Sequence, residues 1–127
     1  MIKNLCIRIL FFLMIGASIF IPNETADIPI KRFSIKDYEE DISDRYNNVE
    51  YGYIASAEEA KNAAKKIWTE IYGEESTPSS RPYEVSFDEV AEIWLVEGTL
   101  PKGFAGGVPY ALIQKNDGKI IGVWHTK

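Results

Sequence analysis

Histidine and cysteine are almost missing from this 127-residue chain, which carries one of each, His125 and Cys6. Cys6 sits in the N-terminal apolar segment, so everything downstream is free of thiols. That excludes disulfides, a cysteine nucleophile and thiolate metal sites there. A lone histidine two residues from the C-terminus builds no multi-histidine metal centre, and a serine nucleophile would have only this base to draw on. No serine stands in a nucleophile-elbow motif either. Basic charge is also short: the formal net charge is −5, the wrong sign for neutralising a phosphate backbone, so nucleic acid is excluded as a partner.

Phosphate-binding motifs are absent as well. The stretch "GTLPKGFAGGVPY", Gly98 to Tyr110, is rich in glycine, but Lys102 precedes Gly103 and no Ser or Thr follows it. A strand pattern comes next, whereas a phosphate cradle or a dinucleotide fingerprint leads into a helix N-terminus. No cofactor or metal is expected.

What is present begins with an export signal. Lys3 and Arg8 precede an apolar run from Ile9 to Ile21, too short for an ordinary membrane span and the right length for a secretory signal. Residues 1–26 are read as a cleaved signal peptide, with an uncleaved signal anchor as the other option. Either places the remainder outside the cytoplasmic membrane, periplasmic or otherwise extracytoplasmic. Membrane contact would then run only through this segment, if it is retained. Without Lys3, Arg8 and Glu24, 12 basic and 18 acidic residues remain, a formal charge of −6.

Residues 27–51 form a polar, acidic N-terminal arm. A short helix from Ser34 to Tyr46, capped by Ser34, is expected within it. The cluster Asp37, Glu39, Glu40, Asp41 and Asp44 lacks the alternating ligands and central glycine of a calcium loop, and reads as a solvated face.

A single α+β domain is expected over 52–127. Ser56 and Glu59 have capping-box spacing, and Ala57, Ala60, Ala64, Ile67, Trp68 and Ile71 recur at helical period up to Gly73. "YEVSFD" alternates as a half-buried strand, while Ile93 to Val96 is apolar on both parities and should be interior, covered on both sides. "YALIQK" and "KIIGVWHT" flank Asn116-Asp117-Gly118, the signal of a tight hairpin. The architecture that follows is one main amphipathic helix packed on a curved antiparallel sheet of about four strands.

Candidate functional residues fall into three sets. Trp68, Tyr72, Trp94, Tyr110, Trp124 and His125 would suit the lining of a cavity between helix and sheet, or simply the core. Lys102 and Phe104 in the glycine-rich loop, with the acidic Glu84, Asp88 and Glu92, are candidates for contact with a partner. Asp88, Glu92 and Glu97 are the carboxylates nearest the sheet, and spacing selects no catalytic pair among them.

The runs "GYIASAEEAKNAAKKIWTEIYG" and "WLVEGTLPKGFAGGVPYALIQKNDGKIIGVWHTK" resemble immunity proteins with a nuclear-transport-factor-2-like fold from bacterial polymorphic toxin systems. The resemblance spans residues 52–127. It is most specific in Glu97-Gly98-Thr99-Leu100-Pro101, Gly106-Gly107-Val108-Pro109-Tyr110 and Asp117-Gly118-Lys119. It implies a cystatin-like helix-and-sheet architecture, a cognate toxin as partner, and neutralisation by direct binding without catalysis. The acidic connection "FDEVAE" and the acidic arm depart from the family pattern. Two other readings remain at this point: a small ligand-binding module using a helix–sheet cavity, and a small isomerase- or hydratase-like enzyme with a buried carboxylate or His125 facing such a cavity.

Overall fold

In a computed structural model, the protein is described over residues 28–73, 83–99 and 107–126. The N-terminal signal, residues 1–26, lies outside this range, as do Lys102 and Phe104. Strand β1 is Ile30–Arg32 and is followed by a 3₁₀ helix, Ile35–Asp41. Helix α1 spans Ala57–Tyr72, and strands β2 to β5 cover Tyr83–Asp88, Ile93–Gly98, Pro109–Gln114 and Ile120–His125. The strands lie in the sheet in chain order, β1-β2-β3-β4-β5. Only β1 runs parallel to its neighbour; the other pairings are antiparallel. The α+β reading is right, and the sheet holds five strands rather than four.

Helix α1 forms where its signals place it. The Ser56 hydroxyl accepts from the Glu59 backbone N–H at 3.2 Å, and Glu59 Oε1 accepts from the Ala55 N–H at 2.6 Å. This reciprocal cap satisfies N–H groups that have no partner inside the helix. Ala57, Ala60, Ala63, Ala64, Ile67 and Trp68 are buried, and their small side chains let the helix sit close to the sheet. The helix ends at Gly73 with φ 92°.

Trp68 is 0% and Trp94 3% exposed, so both indoles are interior material. Each indole N–H needs an acceptor once water is gone. Trp68 donates to the Tyr110 carbonyl at 3.2 Å, and Trp94 donates to the Ile54 carbonyl at 3.1 Å. With Ile67, Val85, Val96, Ala111, Ile113 and Ile120 they fill the layer between helix and sheet.

The opposite sheet face is apolar too, through Ile93, Leu95 and Leu112, so it also needs cover. The segment expected to stand apart as an arm supplies that cover. From residue 28 it belongs to the same packed unit as the domain that sequence began at 52. β1 pairs with β2 along one edge, and Phe33, Ile35 and Tyr38 then cross the second face. Beyond them, Ser43 N–H donates to the Ile121 carbonyl at 2.9 Å and Ile120 N–H to the Val49 carbonyl at 3.1 Å. Residues 28–54 are therefore a belt running from one sheet edge, across the second face, to the other edge.

Two glycines admit the belt. A Cβ on Gly122 would stand 2.7 Å from the Asp41 carbonyl oxygen, inside contact distance. Gly118, at φ 69°, closes the β4–β5 hairpin, and a Cβ there would run into the Gly52 carbonyl. The helix in the belt is shorter than the expected Ser34–Tyr46 and is 3₁₀, kinked at Tyr38 (φ −126°, ψ 20°). Ser34 is its cap, as its position suggested.

Trp68→Ala is expected to destabilise the protein by about 3–5 kcal/mol, since it opens a cavity and strips the Tyr110 carbonyl of a donor. Val90→Ala, at a side chain 96% exposed, should be near neutral. Urea unfolding of both variants measures the difference.

Candidate partner-binding face

Among the described residues, the belt leaves one row of the second face only partly covered. Glu84 on β2, Glu97 on β3, Tyr110 on β4 and Trp124 on β5 are direct cross-strand partners in sequence, so their side chains form one line across the sheet. Tyr110 and Trp124 stack with centroids 5.0 Å apart and planes 2° apart. Tyr38 closes the row from the belt side, 5.9 Å from Trp124, with Phe33 edge-on behind it at 5.7 Å. All four aromatics of this group are half-buried, a surface and not a core.

Two carboxylates share the other end. Lys31 Nζ on β1 pairs with Glu84 Oε1 at 3.0 Å, an exposed contact that contributes little to stability. Among the described residues, no ion pair or hydrogen bond reaches the Glu97 carboxylate. Burial pushes its pKa up, the neighbouring Glu84 charge pushes it further, and Lys31 only partly opposes them. The Tyr38 and Tyr110 phenols are likewise pushed up, by burial first and then by Glu97. Glu97 is thus a half-buried anion with an aromatic neighbour on one side and a like charge on the other.

The six aromatic and histidine residues expected around one cavity do not share a space. Trp68 and Trp94 are buried on the helix face, whereas Tyr110 and Trp124 lie on the opposite face. Tyr72 and His125 meet edge-on at 5.3 Å, with His125 exposed at the end of β5. Of the acidic candidates, only Glu84 joins the row. Asp88 is 6% exposed and turned inward. Its Oδ1 accepts from the Ala91 and Val90 N–H groups at 3.0 and 2.9 Å, and its Oδ2 from the Ile35 N–H at 2.7 Å. Those bonds, Ala91 and Ile35 foremost, hold its carboxyl below the usual range. Glu92 is exposed in the β2–β3 turn at φ 57°. Tyr38 and Lys31 entered no site reading from sequence, and Glu97 entered only as one of three possible catalytic carboxylates. Glu97 continues the parity of Ile93 and Leu95, and that alternation was the signal available for it. Among the described residues, no three His, Cys, Asp or Glu side chains converge on a point where a metal ion could sit.

The two shifted carboxylates predict opposite pH behaviour. Glu97 has a folded pKa above its unfolded one, so its favourable contribution is complete below the unfolded pKa and is lost as pH rises through the folded value. Glu97→Gln should therefore raise Tm at pH 7, with the gain vanishing below about pH 4. Asp88 has a folded pKa below its unfolded one, so its contribution is present above the unfolded pKa and lost as pH falls through the folded value. Asp88→Ala should lower Tm at pH 7, and the gap to wild type should narrow as acid protonates Asp88. Melting curves from pH 2 to 8 read both signs.

Comparison with known proteins agrees with this fold. The NTF2 fold immunity protein family matches residues 59–127, more than half of the chain, including all but the first two residues of α1 and all of β2 to β5. The uncharacterized protein YhhH of Escherichia coli (strain K12) is 40% identical over 57 residues, 44% of this chain and 43% of that protein. The chain therefore matches less than half the length of that relative. No solved structure matches. The helix-on-sheet unit, with its hairpin and glycine-rich connection, belongs to the NTF2 fold immunity proteins.

Proposed function

We propose that the protein is exported and neutralises a cognate toxin of a bacterial polymorphic toxin system by direct, non-catalytic binding, using the row Glu84-Glu97-Tyr110-Trp124. Family membership supports toxin immunity, and the N-terminal segment supports export, with the toxin then acting outside the cytoplasm. The observation that carries the choice of face is Glu97. A half-buried carboxylate held against its own ionisation, with no partner among the described residues, lowers stability where it stands. Such a group fits binding better than folding. Stacked, half-exposed aromatics beside it supply rigid contact area at little entropic loss.

The same end of the sheet launches and receives the glycine-rich connection: Gly98 and Thr99 follow Glu97, and Gly107 to Pro109 lead into Tyr110. The two interior indoles favour a surface over an internal ligand cavity, since they occupy the layer where a cavity would open.

The test is calorimetric titration with the product of the neighbouring gene. A tight one-to-one complex is expected, weakened roughly 30-fold or more by Trp124→Ala if the row is central to the contact. Glu58→Gln, on the outer face of α1, should leave it unchanged. Failure of the neighbouring product to bind would count against toxin capture, and binding indifferent to Trp124→Ala would move the contact to another face.

A further inference from the structure

We infer that the partly covered row is a receptor for an arginine side chain of the partner, with Glu97 as its counter-ion and the Tyr110–Trp124 pair as its stacking platform. This rests on the toxin-binding reading above and names the chemistry of that contact. Three observations lead to it. Glu97 and Glu84 are cross-strand neighbours, and among the described residues the cation beside them, Lys31, is placed on Glu84. Lys31 thus offsets the Glu97 charge only in part, and a cation brought by a partner would favour its ionised form against both the burial and the Glu84 repulsion. Beside it, Tyr110 is the direct neighbour on β4, and its ring lies parallel to Trp124 at 2°.

The geometry favours guanidinium over ammonium. A planar cation can stack on an aromatic face while its N–H fork meets a carboxylate bidentately, whereas a lysine ammonium is a strongly hydrated point charge. The row presents those two elements side by side: a carboxylate, then the Tyr110 ring, backed by the stacked Trp124 indole. Tyr38 bounds the surface on the belt side, and Lys31 repels a second cation at Glu84. The site therefore holds one arginine.

The groups facing Glu97 are Glu84 from β2, Lys31 from β1, Tyr110 from β4 and Tyr38 from the belt. The phenols are held above their ordinary range and stay neutral near neutrality. The Glu97 carboxyl is pushed up by burial and by Glu84, so its charge is lost earlier than an ordinary glutamate's as pH falls. Bound arginine lowers its pKa, so affinity must decline as pH drops below the free-state Glu97 pKa, at a higher pH than an ordinary glutamate would give.

The experiment uses the full mature chain and N-acetyl-arginine methylamide as the probe, followed by the NMR shift of the Trp124 indole N–H. A saturable shift is expected. The uncharged isostere N-acetyl-citrulline methylamide, and Glu97→Gln titrated with the arginine probe, should each bind at least about 10-fold more weakly. Glu97→Gln is expected to fold at least as well as wild type, so a lost signal reports the site. Absence of a saturable shift, or equal binding of citrulline, overturns the proposal. A second arm titrates the neighbouring gene product against wild type and Glu97→Gln, where a loss of roughly 30-fold is expected. Capture of that product with no effect of Glu97→Gln overturns the arginine receptor and leaves toxin binding standing. Arginine binding without capture of the product leaves the receptor standing and removes the assigned partner.

Discussion

The carboxylate of Asp88 is the contact on which the arrangement turns. One oxygen fastens the β2–β3 turn through two backbone N–H groups, and the other fastens the start of the 3₁₀ helix through Ile35. A sheet with apolar side chains on both faces cannot be finished by one helix, and the described residues hold one long helix. The second cover must come from irregular backbone, which has polar groups of its own to satisfy. Asp88 meets that need while fixing where the cover lies. With the belt placed against Ile93, Leu95 and Leu112, the row beyond it is left partly open, so the position of one buried acid decides which part of the sheet faces solvent.

The division between core and surface follows from parity. Residues such as Trp94 and Val96 point at α1, while Leu95 and Glu97 point at the belt side, so a single strand feeds two environments. At Glu97 the belt has run out, and the same parity that buries Leu95 leaves a carboxylate half-exposed. The proposed contact lies at the boundary where the cover stops.

Much of this was legible in the residues. The capping pair Ser56 and Glu59, the alanine-rich stripe, the Asn116-Asp117-Gly118 hairpin and the doubly apolar β3 all report through local chemistry or short periodicity. The belt was not legible because Phe33 and Ile35 have strand spacing whereas Ile35 and Tyr38 have helical spacing, so neither period is sustained, and the surrounding acids mask them. Asp88 misled for a related reason: in sequence it is one acid among several in "FDEVAE", and nothing local shows that its partner is Ile35, distant in the chain. The split of the aromatics between faces was legible in part. Trp94 and Tyr110 belong to different parities once the β3–β4 register is known, and that register depends on a connection whose length hides it.

The belt also has a kinetic consequence. β2 to β5 are joined by neighbouring pairings, whereas Ile35 finds Asp88 across 53 residues. Contacts of such separation carry a loop-closure penalty that local hairpins avoid, so they form late in folding. Tyr38, which bounds the open row, is therefore expected to arrive after the strands that bear Tyr110 and Trp124. Pulse-labelled amide exchange comparing Ile35 with Ala111 would show the order, and simultaneous protection would refute it. If the belt docks last, the proposed binding face takes its final shape only once the belt is in place, and a partner using it would meet a finished surface or none.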